Sequence, residues 1–178
     1  LAINPGAYFK LGFTGTSVIL KVNTATLNGL LAKEYPRIRY SIDGGATQDY
    51  QLLSGDTQIS LASGLAEGTH NLTVWLLSSD LYNSDRWSGN TSLKITGLIL
   101  DVNATTTAPT IFPKRLIAFG DSETEGAAAT GSYLNPLDLT NYSNYEDSTT
   151  AYIVGVATDL NAEYGQIAFG GQSWDASF

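Results

Sequence analysis

Ser122 stands in KRLIAFGDSETEG, where an apolar run at 116–119 is closed by Gly120 and followed at once by Asp121 and Ser122. A short continuous apolar run of this kind predicts a strand of a parallel sheet, buried on both faces. Residues 124–129 are small and helix-tolerant, so a strand-to-helix turn would put the Ser122 hydroxyl beside free backbone N–H groups and the positive end of a helix. Such a place suits stabilisation of an oxyanion, and a serine there suits attack on an acyl carbon. The same residues also suit a plainer task, because Asp and Ser are favoured helix caps.

Acyl transfer further needs a base, a group to orient it, and donors for the oxyanion. The single histidine, His70, falls in a candidate strand far ahead of the serine, where a hydrogen-bonded structural role is the ordinary one. Asp80, Asp85, Arg86 and Trp87 form a dense cluster in SSDLYNSDRWSG, suited either to a sugar contact or to an ion-paired tight turn. Tyr133, Tyr142 and Tyr145 in a polar stretch, with Trp174 further on, are candidates to line a substrate and stack on a carbohydrate ring. In a chain with 10 tyrosines, aromatics serve equally as core. Glu123 and Glu125 are two apart, share no helix face and give no case for a paired-carboxylate mechanism. No His, Cys or carboxylate spacing indicates a catalytic metal, and no cofactor is expected.

GDSETEG resembles the first sequence block of the SGNH (GDSL-type) hydrolases, whose Gly-Asp-Ser serine attacks an ester carbonyl, and YGQIAFGGQSW, at 164–174, resembles the second block. The resemblance implies Ser122 as nucleophile and the backbone N–H groups of Ser122 and Gly171 as oxyanion donors. Glu123 departs from the pattern, many relatives having an apolar residue there, without removing a catalytic group. The β-rich stretch ahead of these blocks, with FTGTSVILKV, IRYSIDGG and LAEGTHNLTVWLL, resembles the amino-terminal jelly roll of carbohydrate esterase family 2. In the SGNH family an asparagine donor and an Asp-x-x-His supplying base and orienter come from later blocks, and neither occurs before Phe178. The resemblance therefore implies an esterase acting on a carbohydrate ester, completed by a further carboxyl-terminal segment or a second chain.

The elements that must position this chemistry divide into three. Over 1–100, short runs of Val, Ile, Leu, Thr, Tyr and Phe are broken by glycine and polar turns, predicting strands at 7–13, 17–23, 38–42, 57–61, 68–77 and 92–100, with a turn at 43–45. Strands at this spacing predict a β-sandwich or jelly roll. Residues 101–113 are rich in Thr, Ala and Pro and read as an extended linker. From 114 to 178 the pattern is strand, long loop (131–148), helix and strand, the beginning of an α/β/α domain with parallel strands. The helix is expected over 151–160 from an N-cap at Thr149 or Thr150, with Tyr152, Ile153, Val156, Ala157 and Leu160 on its apolar face. Two parallel strands cannot bury both faces of their sheet, so the 114–178 unit is expected to be incomplete alone.

A net charge of −8 and a pI near 4.4 argue against nucleic acid and anionic membrane as partners. No apolar run approaches the length of a membrane span. Four Asn-x-Ser/Thr sequons, at Asn71, Asn90, Asn103 and Asn141, are compatible with a secreted glycoprotein. The competing reading is a non-catalytic extracellular carbohydrate-binding or structural glycoprotein built on an esterase-derived scaffold.

Overall fold

The computed structural model describes residues 1–80, 88–127, 129–130 and 142–171. The strands are β1 (Tyr8–Thr14), β2 (Val18–Val22), β3 (Arg37–Ile42), β4 (Gln48–Gln51), β5 (Gln58–Ala62), β6 (Thr69–Ser78), β7 (Ile95–Leu100), β8 (Thr106–Thr107), β9 (Lys114–Gly120) and β10 (Ala162–Ala168). The helices are α1 (Ser122–Glu125), α2 (Tyr142–Tyr145) and α3 (Tyr152–Leu160).

Two antiparallel sheets form a sandwich, one ordered β4-β3-β6-β1-β8 and the other β5-β2-β7. Alternation decides what lies between them: Val18 and Leu20 from one sheet, and Phe13, Ile38, Leu72 and Leu76 from the other, have no exposed surface and share one core. Each such side chain contributes about 1.5–3 kcal/mol by leaving water. The polar strand β4, QDYQ, has no apolar alternation to announce it, and β8 is only two residues long. Strand β8 lies within the stretch whose composition reads as linker, and β4 falls between the predicted turn at 43–45 and the strand predicted at 57–61.

Residues 101–113 turn at 102–103, where Asn103 is left-handed, and are fastened along their length. Asp101 accepts from Thr16 N–H, from the Thr16 hydroxyl (2.9 Å) and from the Ser17 hydroxyl, which pins the turn between β1 and β2. These donors hold the Asp101 carboxyl at about 2. Thr106 and Thr107 pair with β1, Thr110 N–H donates to Asn71 Oδ1 (3.2 Å), and Phe112 N–H donates to Glu163 Oε1 (2.8 Å).

Strands β9 and β10 are parallel, with Lys114 opposite Ala162 and Gly120 opposite Ala168. One face of the pair, with Leu116, Ala118 and Tyr164, packs on Ala151, Ile153 and Val154 at the start of α3. It also meets the sandwich: the Tyr8 and Tyr164 rings lie 4.9 Å apart, and Gln166 Nε2 donates to Pro5 O at 2.9 Å. The other face is open. Ile117 is 60% exposed, Phe119 52% and Ile167, paired with Phe119, 47%, so the strand expected to be buried on both faces is covered on one. The helix differs in the same way: Ile153 and Ala157 are buried, but Tyr152, Val156 and Leu160 are exposed, because only the first pair points at the sheet. Its N-cap is Ala151. Ser148–Thr150 form a separate 3-10 turn, capped by the Asp147 side chain accepting from Thr149 N–H (3.0 Å).

Candidate active site

Strand β9 delivers the chain into a turn that only glycines allow. A Cβ on Gly120 would lie 2.0 Å from Thr124 Oγ1, and one on Gly126, whose φ is +83°, would lie 2.4 Å from the carbonyl oxygen of Asp147. The single turn of α1 is thereby pressed against β9 at one end and against the 147–148 backbone at the other. Asp121 is the N-cap, its Oδ1 accepting from Glu123 N–H at 3.1 Å. Capping is thus done by Asp121, and Ser122 occupies the first helical position, partly exposed at the carboxyl end of β9.

At the neighbouring strand end, Phe169 N–H donates to Gly120 O (3.3 Å) and Gly170 N–H donates to Glu125 Oε2 (2.6 Å). Gly171 follows in a left-handed conformation, φ +77°, and is exposed. Ser122 and Gly171 therefore lie at the same end of the parallel pair, each just past its strand.

The segment after α2 carries the turn on the sandwich. Ser148 Oγ donates to Leu76 O (3.0 Å), Ser79 N–H donates to Glu146 Oε2 (2.8 Å), and the Ser143 hydroxyl donates to Lys33 O. Glu146 and Ser148 have no exposed surface. On the far side of the interface Glu163 accepts from Tyr8 (2.6 Å) and Lys10 (2.8 Å). Burial and that bond push the Tyr8 hydroxyl up to about 12; burial opposes ionisation of Glu163, but its donors leave its carboxyl below the usual range.

His70 belongs to the sandwich core. Its Nδ1 meets Asp43 Oδ2 at 2.7 Å, its Nε2 meets Ala66 O at 2.9 Å, and its ring packs 5.5 Å from that of Phe13. None of these partners is in the 120–126 turn. Tyr145 is half-buried in α2, and its carbonyl accepts from Thr130 N–H (3.1 Å). Tyr142 begins α2, whereas Tyr133, Trp174, Asn141, Asp85, Arg86 and Trp87 lie outside the described residues. Asp80 is fully buried at the end of that cluster, its carbonyl accepting from Thr91 Oγ1. Tyr152 is an exposed aromatic beside the 120–126 turn, its hydroxyl 3.2 Å from Thr124 Oγ1. Helical periodicity places it on the apolar face of α3, whereas in the structure Ile153 and Ala157 are buried and Tyr152 stays at the surface. Among the described residues no cluster of His, Cys, Asp and Glu could hold a metal, and no helix is long and apolar enough to cross a membrane.

A two-sheet antiparallel sandwich beside a parallel strand pair, with Gly-Asp-Ser past the end of one strand, is a fold shared with solved carbohydrate esterases. Residues 2–101 match the model of the carbohydrate esterase 2 N-terminal family, and the chain belongs to that family. Among solved structures, a carbohydrate esterase family 2 enzyme with a carbohydrate-binding domain from Corynascus thermopiles (Myceliophthora fergusii) superposes with a TM-score of 0.72 at 25% identity. The match covers 96% of this chain and 45% of that one. A family two carbohydrate esterase from Clostridium thermocellum, in complex with cellohexaose, gives 0.69 at 20% identity, covering 94% and 46%. An acetyl xylan esterase from the rumen bacterium Butyrivibrio proteoclasticus gives 0.71 at 16% identity, covering 92% and 41%. The chain thus spans less than half the length of the solved relatives it matches. A search of curated proteins finds no match.

Proposed function

We propose that this chain supplies the nucleophile and part of the oxyanion hole of a secreted serine esterase that removes acetyl or similar acyl groups from carbohydrate. The observation that carries the reading is the placement of Ser122 at the first position of α1, past the end of β9, with Gly171 past the end of β10. Ser122 Oγ attacks the ester carbonyl while its proton passes to a base. The Ser122 and Gly171 N–H groups receive the negative charge that develops on the carbonyl oxygen. The C–O bond to the sugar then breaks, the base returns the proton to the sugar oxygen, and water releases the acid from Ser122.

His70 is engaged within the sandwich, so the base, its orienter and an asparagine donor come in this proposal from additional polypeptide, either a further segment or a second chain. The same polypeptide would cover Ile117, Phe119 and Ile167, since a parallel sheet is stable when both faces are covered. The lengths of the solved relatives support this division. Of the sequons, Asn90 and Asn103 are exposed, whereas Asn71 lies in β6 and its side chain accepts from Thr110 N–H; Asn90 and Asn103 are the better acceptors in the secretory route proposed. The test is a fluorophosphonate probe on native material with an acetyl-ester assay beside it. Labelling and turnover are expected to vanish in Ser122→Ala, and labelling that survives the substitution places the nucleophile elsewhere.

A further inference from the structure

We infer that Glu125 is a positioning residue for the oxyanion side of this site, holding the 170–171 turn against the nucleophile helix. The inference rests on the reading of Ser122 and Gly171 given above. Glu125 is the last residue of α1, yet its side chain has no exposed surface. Carboxylates are almost never buried so completely unless their oxygens are engaged. Oε2 accepts from Gly170 N–H at 2.6 Å, short for a neutral N–H···O bond and close to the charge-assisted range. The bond joins the helix carrying Ser122 to the turn carrying Gly171, elements 45 residues apart between Glu125 and Gly170.

That turn is anchored through its main chain. Gly170 and Gly171 are consecutive glycines, and a Cβ on Gly171 would meet nothing within 4 Å among the described residues. The two preceding N–H groups are bonded, one to Gly120 O and one to Glu125, and these bonds bear on the plane of the Gly171 peptide. A donor stabilises an oxyanion only when it is oriented before the charge develops. Glu125 orients it from the same four-residue helix that carries the nucleophile, so the attacking oxygen and the receiving N–H keep a common frame.

Glu125→Ala removes the acceptor, and Glu125→Gln keeps a weaker one of the same shape. In the full-length native protein with an acetyl ester, Glu125→Ala is expected to lower kcat about 10- to 100-fold while KM changes less than about twofold. Glu125→Gln should fall between the variant and the wild type. Amide exchange at Gly170 should quicken in Glu125→Ala while β9 and β10 keep theirs. Wild-type kcat in Glu125→Ala, a loss that appears in KM, or unchanged Gly170 exchange would each overturn the inference. Should the alanine variant not fold, the glutamine variant decides: intermediate kcat with faster Gly170 exchange supports it, and wild-type values of both reject it. Retained esterase activity in Ser122→Ala would instead remove the underlying reading, and the role of Glu125 in catalysis with it.

Discussion

Arg39 of β3 reaches across to Asp147, with Nη1 2.9 and 3.1 Å from the two carboxylate oxygens, while its Nε and Nη2 hold Asp49 of β4 at 2.6 and 2.8 Å. Asp147 is the residue whose carbonyl closes on Gly126 and whose side chain caps the 3-10 turn before α3. The guanidinium thus fastens the 120–126 turn to the five-stranded sheet through one intermediary. The bond to Asp49 first, and the charge of Asp147, raise the Arg39 pKa against the opposing effect of burial.

Arg39→Ala is therefore expected to destabilise the protein by about 1.5–3 kcal/mol, the range for hydrogen bonds to charged groups. Arg39→Lys should recover little of it, because a single ammonium cannot fork between two carboxylates. Chemical denaturation of the two variants measures both. A lysine variant as stable as wild type would show that charge alone, without the fork, holds the contact.

Gly126→Ala should be worse than its size suggests. The left-handed backbone alone costs about 1–3 kcal/mol for other residues, and the added carbon would stand 2.4 Å from Asp147 O. Loss of stability should be accompanied by loss of fluorophosphonate labelling at Ser122, four positions away. Thermal denaturation and labelling on one preparation would check this, and an unchanged melting temperature would show that the 147–148 backbone yields freely.

His70 gives a pH signature. Protonated, its ring donates to both Asp43 and Ala66 O; neutral, it can donate to only one. The bond to Asp43, then the bond to Ala66, raise its pKa above the ordinary 6.5. A raised folded-state pKa gives stability that is complete below about 6.5 and is lost as pH rises through the shifted value. Asp43 runs the other way: burial opposes its ionisation, but His70 and Asn71 N–H bring it below 3.8, so its share is present above that value and lost in acid. The stability difference between wild type and His70→Asn should accordingly be greatest between these limits. Urea denaturation from pH 3 to 9 measures it, and a difference flat across neutrality would mean that the ring is neutral throughout.

Phe119 offers a test of sign. In the 178-residue polypeptide, where its ring is 52% exposed, Phe119→Ser should reduce self-association and dye binding. In full-length native material, if additional polypeptide covers that face, the same change should destabilise by about 3–5 kcal/mol, as large-to-small core changes do. Sedimentation and denaturation of both forms compare them, and a neutral effect in native material would mean the face is open there too.

What could be read beforehand follows from how each element is determined. The strands with apolar alternation, β2 and β6 above all, announce themselves because one face alone must be buried. Strand β4 is held by its neighbour β3 and by Asp49 gripping Arg39 and Arg37, which no local pattern encodes. The strand-to-helix turn at 120–126 was legible from Gly-Asp-Ser after an apolar run, and which of Asp121 and Ser122 caps the helix was not, because one residue of register separates a cap from a first helical residue. Which stripe of α3 faces inward was likewise undetermined, since Tyr152, Val156 and Leu160 satisfy the same period as Ile153 and Ala157. Glu125 and Glu146 were invisible as buried groups because their partners, Gly170 and Ser79, are main-chain amides distant in sequence.

The fastening of residues 101–113 bears on how this architecture can be taken apart. A segment tied at Asp101, Thr106, Thr107, Thr110 and Phe112 does not behave as a tether between two beads. Cutting it with a protease would leave the pieces bound to each other, because Arg39, Leu76, Ser79 and Tyr8 still hold the partner half. For an engineer the sandwich is accordingly no exchangeable cartridge: grafting a different amino-terminal module ahead of residue 114 would remove the acceptors and donors on which the 120–126 turn is seated.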